Sequence, residues 1–113
     1  MTRKFVNTSG FDRNWAAMGL DDDDLCRLQN ELLNDPQKGD VIQGTGGLRK
    51  MRFAVKDKGK RGGVRVCYVD FVVYERIYLI TAYPKSNKEN LSPDECASIA
   101  KMIEALKREC ALD

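Results

Sequence analysis

Leu48-Arg49-Lys50-Met51-Arg52-Phe53-Ala54-Val55 and Val64-Arg65-Val66-Cys67-Tyr68-Val69-Asp70-Phe71 decide how this chain folds. Side chains of a strand alternate between two faces. In the first stretch, Met51, Phe53 and Val55 therefore share one face, and Lys50 and Arg52 share the other. The second stretch is a strand with Arg65 near its start. A third runs from Ile77 to Tyr83, and a turn around residues 72–75 lacks Gly or Asn. The basic loop Lys56-Asp57-Lys58-Gly59-Lys60-Arg61-Gly62-Gly63 joins the first two strands. Connections this short imply an antiparallel meander.

Outward from the meander, helices are legible on both sides. Ser92-Pro93-Asp94-Glu95 is a helix start: Ser as N-cap, Pro in the first turn, Glu closing a capping box. Cys96, Ile99, Ile103, Leu106 and Cys110 follow at alternating spacings of three and four, an amphipathic stripe for a core or a partner. Towards the N-terminus, aspartates 21–24 cap a helix and place negative charge in its first turn. Its apolar stripe is Leu25, Leu28 and Leu32, and Asn34-Asp35-Pro36 ends it. Phe11 to Met18 forms a shorter helix and Lys4 to Asn7 a short strand. The glycine-rich stretch 39–47 lacks P-loop order and reads as a tight entry into the sheet. The expected fold is α+β: one domain, 1–113, with a small antiparallel sheet (N-terminal strand plus three-stranded meander). Two N-terminal helices and a C-terminal helix pack on it.

Composition narrows the chemistry. The chain has 113 residues, a net charge of +2 and no histidine. That excludes Ser-His-Asp and Cys-His catalysis, His-ligated zinc and an imidazole base. Its four cysteines, at 26, 67, 96 and 110, form no C-x-x-C pair; three of them sit at apolar positions of expected helices or strands as small hydrophobes, and the thiols are expected to be reduced. The aspartate run lacks the alternating spacing of a calcium loop. No metal and no cofactor is expected. No apolar stretch suits a signal peptide or a membrane span, so a cytoplasmic protein is expected. The small net charge hides a segregation: residues 21–35 carry six acids and one base, residues 49–65 eight bases and one acid. Dense local positive charge attracts a polyanion.

The order of elements, with Gly39-Asp40-Val41-Ile42-Gln43-Gly44-Thr45-Gly46-Gly47-Leu48-Arg49-Lys50-Met51-Arg52, Gly59 to Arg65 and Tyr83-Pro84-Lys85-Ser86-Asn87, resembles the RelE/ParE toxin superfamily, and within it the HigB-type branch. The resemblance spans about Leu25 to the end. It implies a toxin of a type II toxin–antitoxin pair. RelE-like members cleave mRNA in the ribosomal A site using basic residues of the central strands and no metal. ParE-like members poison gyrase. The implied partners are a helix-turn-helix antitoxin (HigA-like), the ribosome and mRNA, with operator DNA reached only through the antitoxin complex. By strand position, Lys50, Arg52 and Arg65 match catalytic basic residues, and Lys85 lies where further ones occur. This chain departs at Ser86, where a member carries arginine, and at Ser92, near that member's active-site tyrosine.

Such chemistry works without histidine. The 2′-hydroxyl attacks the adjacent phosphate, so the enzyme must accept a proton, stabilise charge on phosphorus and protonate the leaving 5′-oxygen. Guanidinium and ammonium groups serve the second need. Arginine stays protonated, but a lysine crowded by cations can act as a base. Lys50 is the candidate base, Arg52 and Arg65 hold the phosphate, and Lys85 assists the leaving group. Tyr68 and Tyr83 are reserves for proton transfer or base stacking, with ordinary sheet packing the plain alternative. Arg49, Lys56, Lys58, Lys60, Arg61 and Lys88 form an expected RNA-gripping rim that positions without reading sequence. Two other readings remain at this point: a ParE-like gyrase inhibitor, and a nucleic-acid-binding homologue without catalysis.

Overall fold

The computed structural model describes residues 2–55, 63–88 and 90–112. Strand β1 (Lys4–Asn7) leads into helices α1 (Ser9–Ala17) and α2 (Asp22–Asn34). Then come β2 (Asp40–Val41), β3 (Arg49–Phe53), β4 (Val64–Phe71), β5 (Arg76–Pro84) and helix α3 (Pro93–Leu112). They form a five-stranded sheet of order β1-β5-β4-β3-β2. The α+β class and the antiparallel β3-β4-β5 meander agree with the sequence reading. Two details differ. The sheet is mixed, because β1 lies parallel to β5, with Lys4 opposite Arg76 and Asn7 opposite Leu79. It also gains β2, formed where the glycine-rich entry turns back on itself, with Asp40 opposite Lys50. Neither strand direction nor a two-residue strand leaves a periodic signal.

The helix ends form as the sequence dictates. Asp21 accepts from the Asp24 N–H and Asp24 from the Asp21 N–H, a reciprocal capping box for α2. Ser92 and Glu95 do the same for α3. The turn after β4 is a single 3₁₀ turn, Val72–Tyr74, closed by Glu75 at φ 53°. A glutamate therefore takes the left-handed conformation usually left to glycine, which costs about 1 kcal/mol. Its carbonyl accepts from the Lys4 N–H and so starts the β1 pairing.

The sheet separates two cores. On one face, Phe11, Trp15, Leu28 and Leu32 pack on Met51, Phe53, Val64, Val66, Tyr68 and Leu79. On the other, Ile99, Ile103 and Cys110 of α3 pack on Leu48, Cys67, Val69, Phe71, Tyr78 and Ile80. Register is thereby fixed, since a one-residue slip would exchange the two cores. A bulge interrupts the β4–β5 ladder: Cys67 faces Thr81 and Tyr68 faces Leu79, so Ile80 is the extra residue. The ion pair Arg3–Asp70 (2.8 Å), with side chains 7% and 2% exposed, ties the segment before β1 to β4.

Candidate active site

Along the α3 face of the sheet, apolar residues give way to cations. Into and along β3 the order is Leu48, just before the strand, then Lys50 and Arg52; on the antiparallel β4 it is Val69, Cys67, Arg65. The apolar end lies under α3. At the other end, Arg52 is directly opposite Arg65, and Arg65 directly opposite Tyr83. One step inward, Lys50 faces Cys67, which faces Thr81. Directly opposed residues share a face, with Cβ atoms about 4.5–5.5 Å apart. Three of the four sequence-predicted catalytic residues, Lys50, Arg52 and Arg65, are thus brought together on rigid strands. The fourth, Lys85, follows β5, and its backbone N–H donates to the Gly63 carbonyl (3.2 Å), at the entry to β4.

Lys50 is held in place from below and above. Its backbone carbonyl lies so close to Gly39 that a Cβ there would stand 2.8 Å from it. The Gly39 N–H donates to the Tyr68 hydroxyl (2.9 Å), and that hydroxyl donates to the Pro36 carbonyl (2.9 Å). Tyr68 is completely buried in the core of the opposite face, so it supports this strand and takes no part in the cationic face. Above the sheet, the Lys50 Nζ donates to Asn90 Oδ1 at 2.8 Å.

Tyr83 and Cys67 form the floor. Cys67 is fully buried. Burial pushes its thiol up to about 12, although Tyr83 and the charges of Arg65 and Lys50 pull it down. It stays a thiol at neutral pH and is no nucleophile. Tyr83 is 7% exposed, and its phenol is raised by burial and by Cys67, with Arg65 opposing. It remains protonated, and its hydroxyl oxygen is buried without a hydrogen-bond partner among the described residues. The Lys88 ammonium sits over its ring, 5.0 Å from the centroid, and also pairs with Glu95 (2.5 Å). The Lys88 bond, then the Ser92 N–H, hold the Glu95 carboxyl below its ordinary range.

Of the expected rim, Lys88 joins the cluster. Arg49 points to the opposite face, where its Nη1 donates to the carbonyls of Gly39 (2.8 Å) and Gln37 (3.3 Å). Lys56, Lys58, Lys60 and Arg61 lie outside the described residues. Ser86 is exposed in the turn after β5, and Ser92 caps α3. Asn90 and the ion-pairing role of Glu95 escaped sequence reasoning. Glu95 was visible there only as a cap, and no local signal marks Asn90, which meets Lys50 across 40 positions. Among the described residues, no three His, Cys, Asp or Glu side chains cluster so that they could hold a metal. No helix among them is long and apolar enough to cross a membrane.

A three-helix α+β domain with a cationic sheet face of lysine and arginine is thus the class this fold defines. Residues 3–111 match the family described as the RelE toxin of the RelE / RelB toxin–antitoxin system, and the chain belongs to that family. A mutant of the E. coli toxin RelE in its free state, with two arginines replaced by alanine, has a similar fold. The TM-score is 0.54 at 15% identity, over 90% of this chain and 97% of that one. A toxin of such a system implies an antitoxin as its partner.

Proposed function

We propose that the protein, a single domain over 1–113, is a ribosome-dependent, metal-independent mRNA endonuclease of the HigB type. In this reading it arrests translation and growth in the cytoplasm until a helix-turn-helix (HigA-like) antitoxin neutralises it, operator DNA being met only through that complex. The observation that carries the reading is the row Arg52–Arg65–Tyr83 with Lys50 beside it. Two guanidinium groups opposite one another repel across a sheet. A shared phosphate anion relieves that repulsion, and its doubly charged pentacovalent state relieves it more, which is the differential binding catalysis needs.

Each residue then has a role. Arg52 and Arg65 hold the scissile phosphate. Lys50, released from Asn90, is the group that accepts the 2′-hydroxyl proton. Lys85 gives a proton to the leaving 5′-oxygen. Lys88, and Lys56, Lys58, Lys60 and Arg61 of the β3–β4 loop, grip flanking phosphates. Arg49, bound to carbonyls of residues 37 and 39, holds β3 in place.

The test is to induce the toxin without its antitoxin, map mRNA 5′ ends and assay gyrase supercoiling in the same cells. In-frame cuts within translated messages support the reading. Lost supercoiling with intact messages would replace it with a gyrase inhibitor, and unaffected growth with an inactive homologue.

A further inference from the structure

Glu95 is an acid paired with one cation of the site, Lys88. It stands within the reach of Lys88, beside Tyr83, on the face where a polyanion is proposed to bind. Ordinary helix capping explains only half of it. One carboxylate oxygen, Oε1, accepts the Ser92 N–H at 2.8 Å, while the Glu95 N–H donates to Ser92 Oγ at 3.1 Å. The other oxygen, Oε2, takes the Lys88 ammonium. The cap fixes the carboxylate on the rigid first turn of α3. The carboxylate in turn fixes Lys88, whose ammonium lies over the Tyr83 ring. Asn90, two positions after Lys88, ties Lys50 in the same way but with a neutral oxygen.

We propose that Glu95 is a positioning residue that holds Lys88 over Tyr83 in the free protein as an internal stand-in for an RNA phosphate. A phosphate carries the same charge and the same acceptor atoms as the carboxylate, so the two compete for one ammonium. The pair is the right strength to be exchanged. Both side chains are more than one third exposed (38% and 43%), and such surface pairs are weak and screened by salt. Glu95 therefore keeps Lys88 extended towards the site and lowers the affinity of the empty site for RNA. Once a phosphate takes Lys88, Glu95 keeps its bond to the Ser92 N–H, so substrate binding leaves the helix cap intact.

This rests on the cationic face being the RNA site, and the experiment separates the two. Glu95→Gln retains the capping oxygen, since glutamine serves in a capping box, and removes the charge. Equilibrium binding of a single-stranded RNA oligonucleotide with a 2′-deoxy substitution at the scissile position, which cannot be cleaved, is measured against salt with the full-length protein. Glu95→Gln is expected to bind roughly two- to fivefold more tightly at low salt, the gain shrinking as salt rises. In a Lys88→Ala background the gain is expected to vanish. On ribosomes, KM is expected to fall with kcat little changed. Unchanged or weaker binding, or a gain that survives Lys88→Ala, would overturn the proposal. If the wild type cuts no message yet Glu95→Gln tightens RNA through Lys88, the nuclease reading fails and the positioning role stands. Cleavage by the wild type with no change in Glu95→Gln gives the reverse. A thermal scan of each variant confirms the cap, and if Glu95→Gln melts early, Glu95→Asp, which draws the carboxylate back from Lys88 and can cap as Asp24 does in α2, provides the second measurement: tighter binding upholds the exchange and unchanged or weaker binding refutes it.

Discussion

Replacing Arg52 by glutamine should remove activity and raise stability. Arg52 faces Arg65 across the β3–β4 ladder, and its side chain is exposed. Opposed strand residues have Cβ atoms about 5 Å apart, and two unit charges at roughly that spacing in a water-like dielectric repel by roughly 0.5–1 kcal/mol. Glutamine keeps most of the stem and deletes the charge. For a domain of this size, relief of that repulsion raises Tm by roughly 2–4 °C. In the reaction, the same change removes one charge-assisted donor to the developing phosphorane, worth about 3–4 kcal/mol, or roughly 10²–10³-fold in rate. The assay pairs a thermal scan with single-turnover cleavage of an A-site codon on purified ribosomes, at saturating toxin. Cleavage within tenfold of wild type would remove Arg52 from the phosphate site. A Tm that falls along with the rate would show that Arg52 acts by supporting the fold, and the argument from register would be wrong.

Further outcomes follow from other contacts. Tyr83→Phe deletes a buried hydroxyl that has no hydrogen-bond partner among the described residues, so single-turnover cleavage should stay within a few fold of wild type; a drop of about 10²-fold would bring the phenol into proton transfer. Asp70→Ala strips the partner from the buried Arg3 guanidinium and should destabilise by about 3–5 kcal/mol in urea unfolding, whereas a loss under 1 kcal/mol would mean that water reaches Arg3. Cys67, raised from 9.0 to about 12, binds its proton more tightly folded than unfolded, so its contribution is complete below pH 9 and is lost as pH rises towards 12. The whole window amounts to roughly 4 kcal/mol at most, and unfolding of Cys67→Ala should show a shallower alkaline decline than the wild type.

Legibility in the sequence followed periodicity. Lys50, Arg52 and Arg65 were readable because β3 and the first half of β4 are regular, and alternation alone puts basic residues on one face and Met51, Val64, Val66 and Phe53 on the other. The same alternation takes Arg49 away from Lys50, although a count of local charge groups them. Tyr83 was harder, since the bulge at Ile80 shifts the alternation of β5, and only the ladder reveals that Tyr83 and Arg65 share a row. The contacts of Asn90 and Glu95 with lysines depend on where α3 returns to the sheet, which is tertiary information. The parallel direction of β1 is of the same kind, set by the carbonyl of a left-handed Glu75.

The site's rigidity can itself be tested, because a catalytic cluster of like charges needs a scaffold that prevents its members from moving apart. Gly39 supplies one such constraint. A Cβ at this position would meet the Lys50 carbonyl oxygen at 2.8 Å, its carbon at 3.0 Å and the Tyr68 ring at 3.1 Å. Two of these are backbone atoms of β3 and the third belongs to a completely buried ring, so none can yield as a flexible side chain would. Gly39→Ala must then push the 36–40 segment off the strand and break the Gly39 N–H bond to Tyr68. Leaving that buried pair unmade costs about 1–3 kcal/mol. Tyr68→Phe breaks the same bond without moving β3. Gly39→Ala should therefore lower both stability and cleavage, through Lys50, while Tyr68→Phe lowers stability by a similar amount with cleavage by the folded fraction nearly intact. Equal loss of cleavage in the two variants, corrected for folded fraction, would show that backbone position at Lys50 is not what the glycine protects.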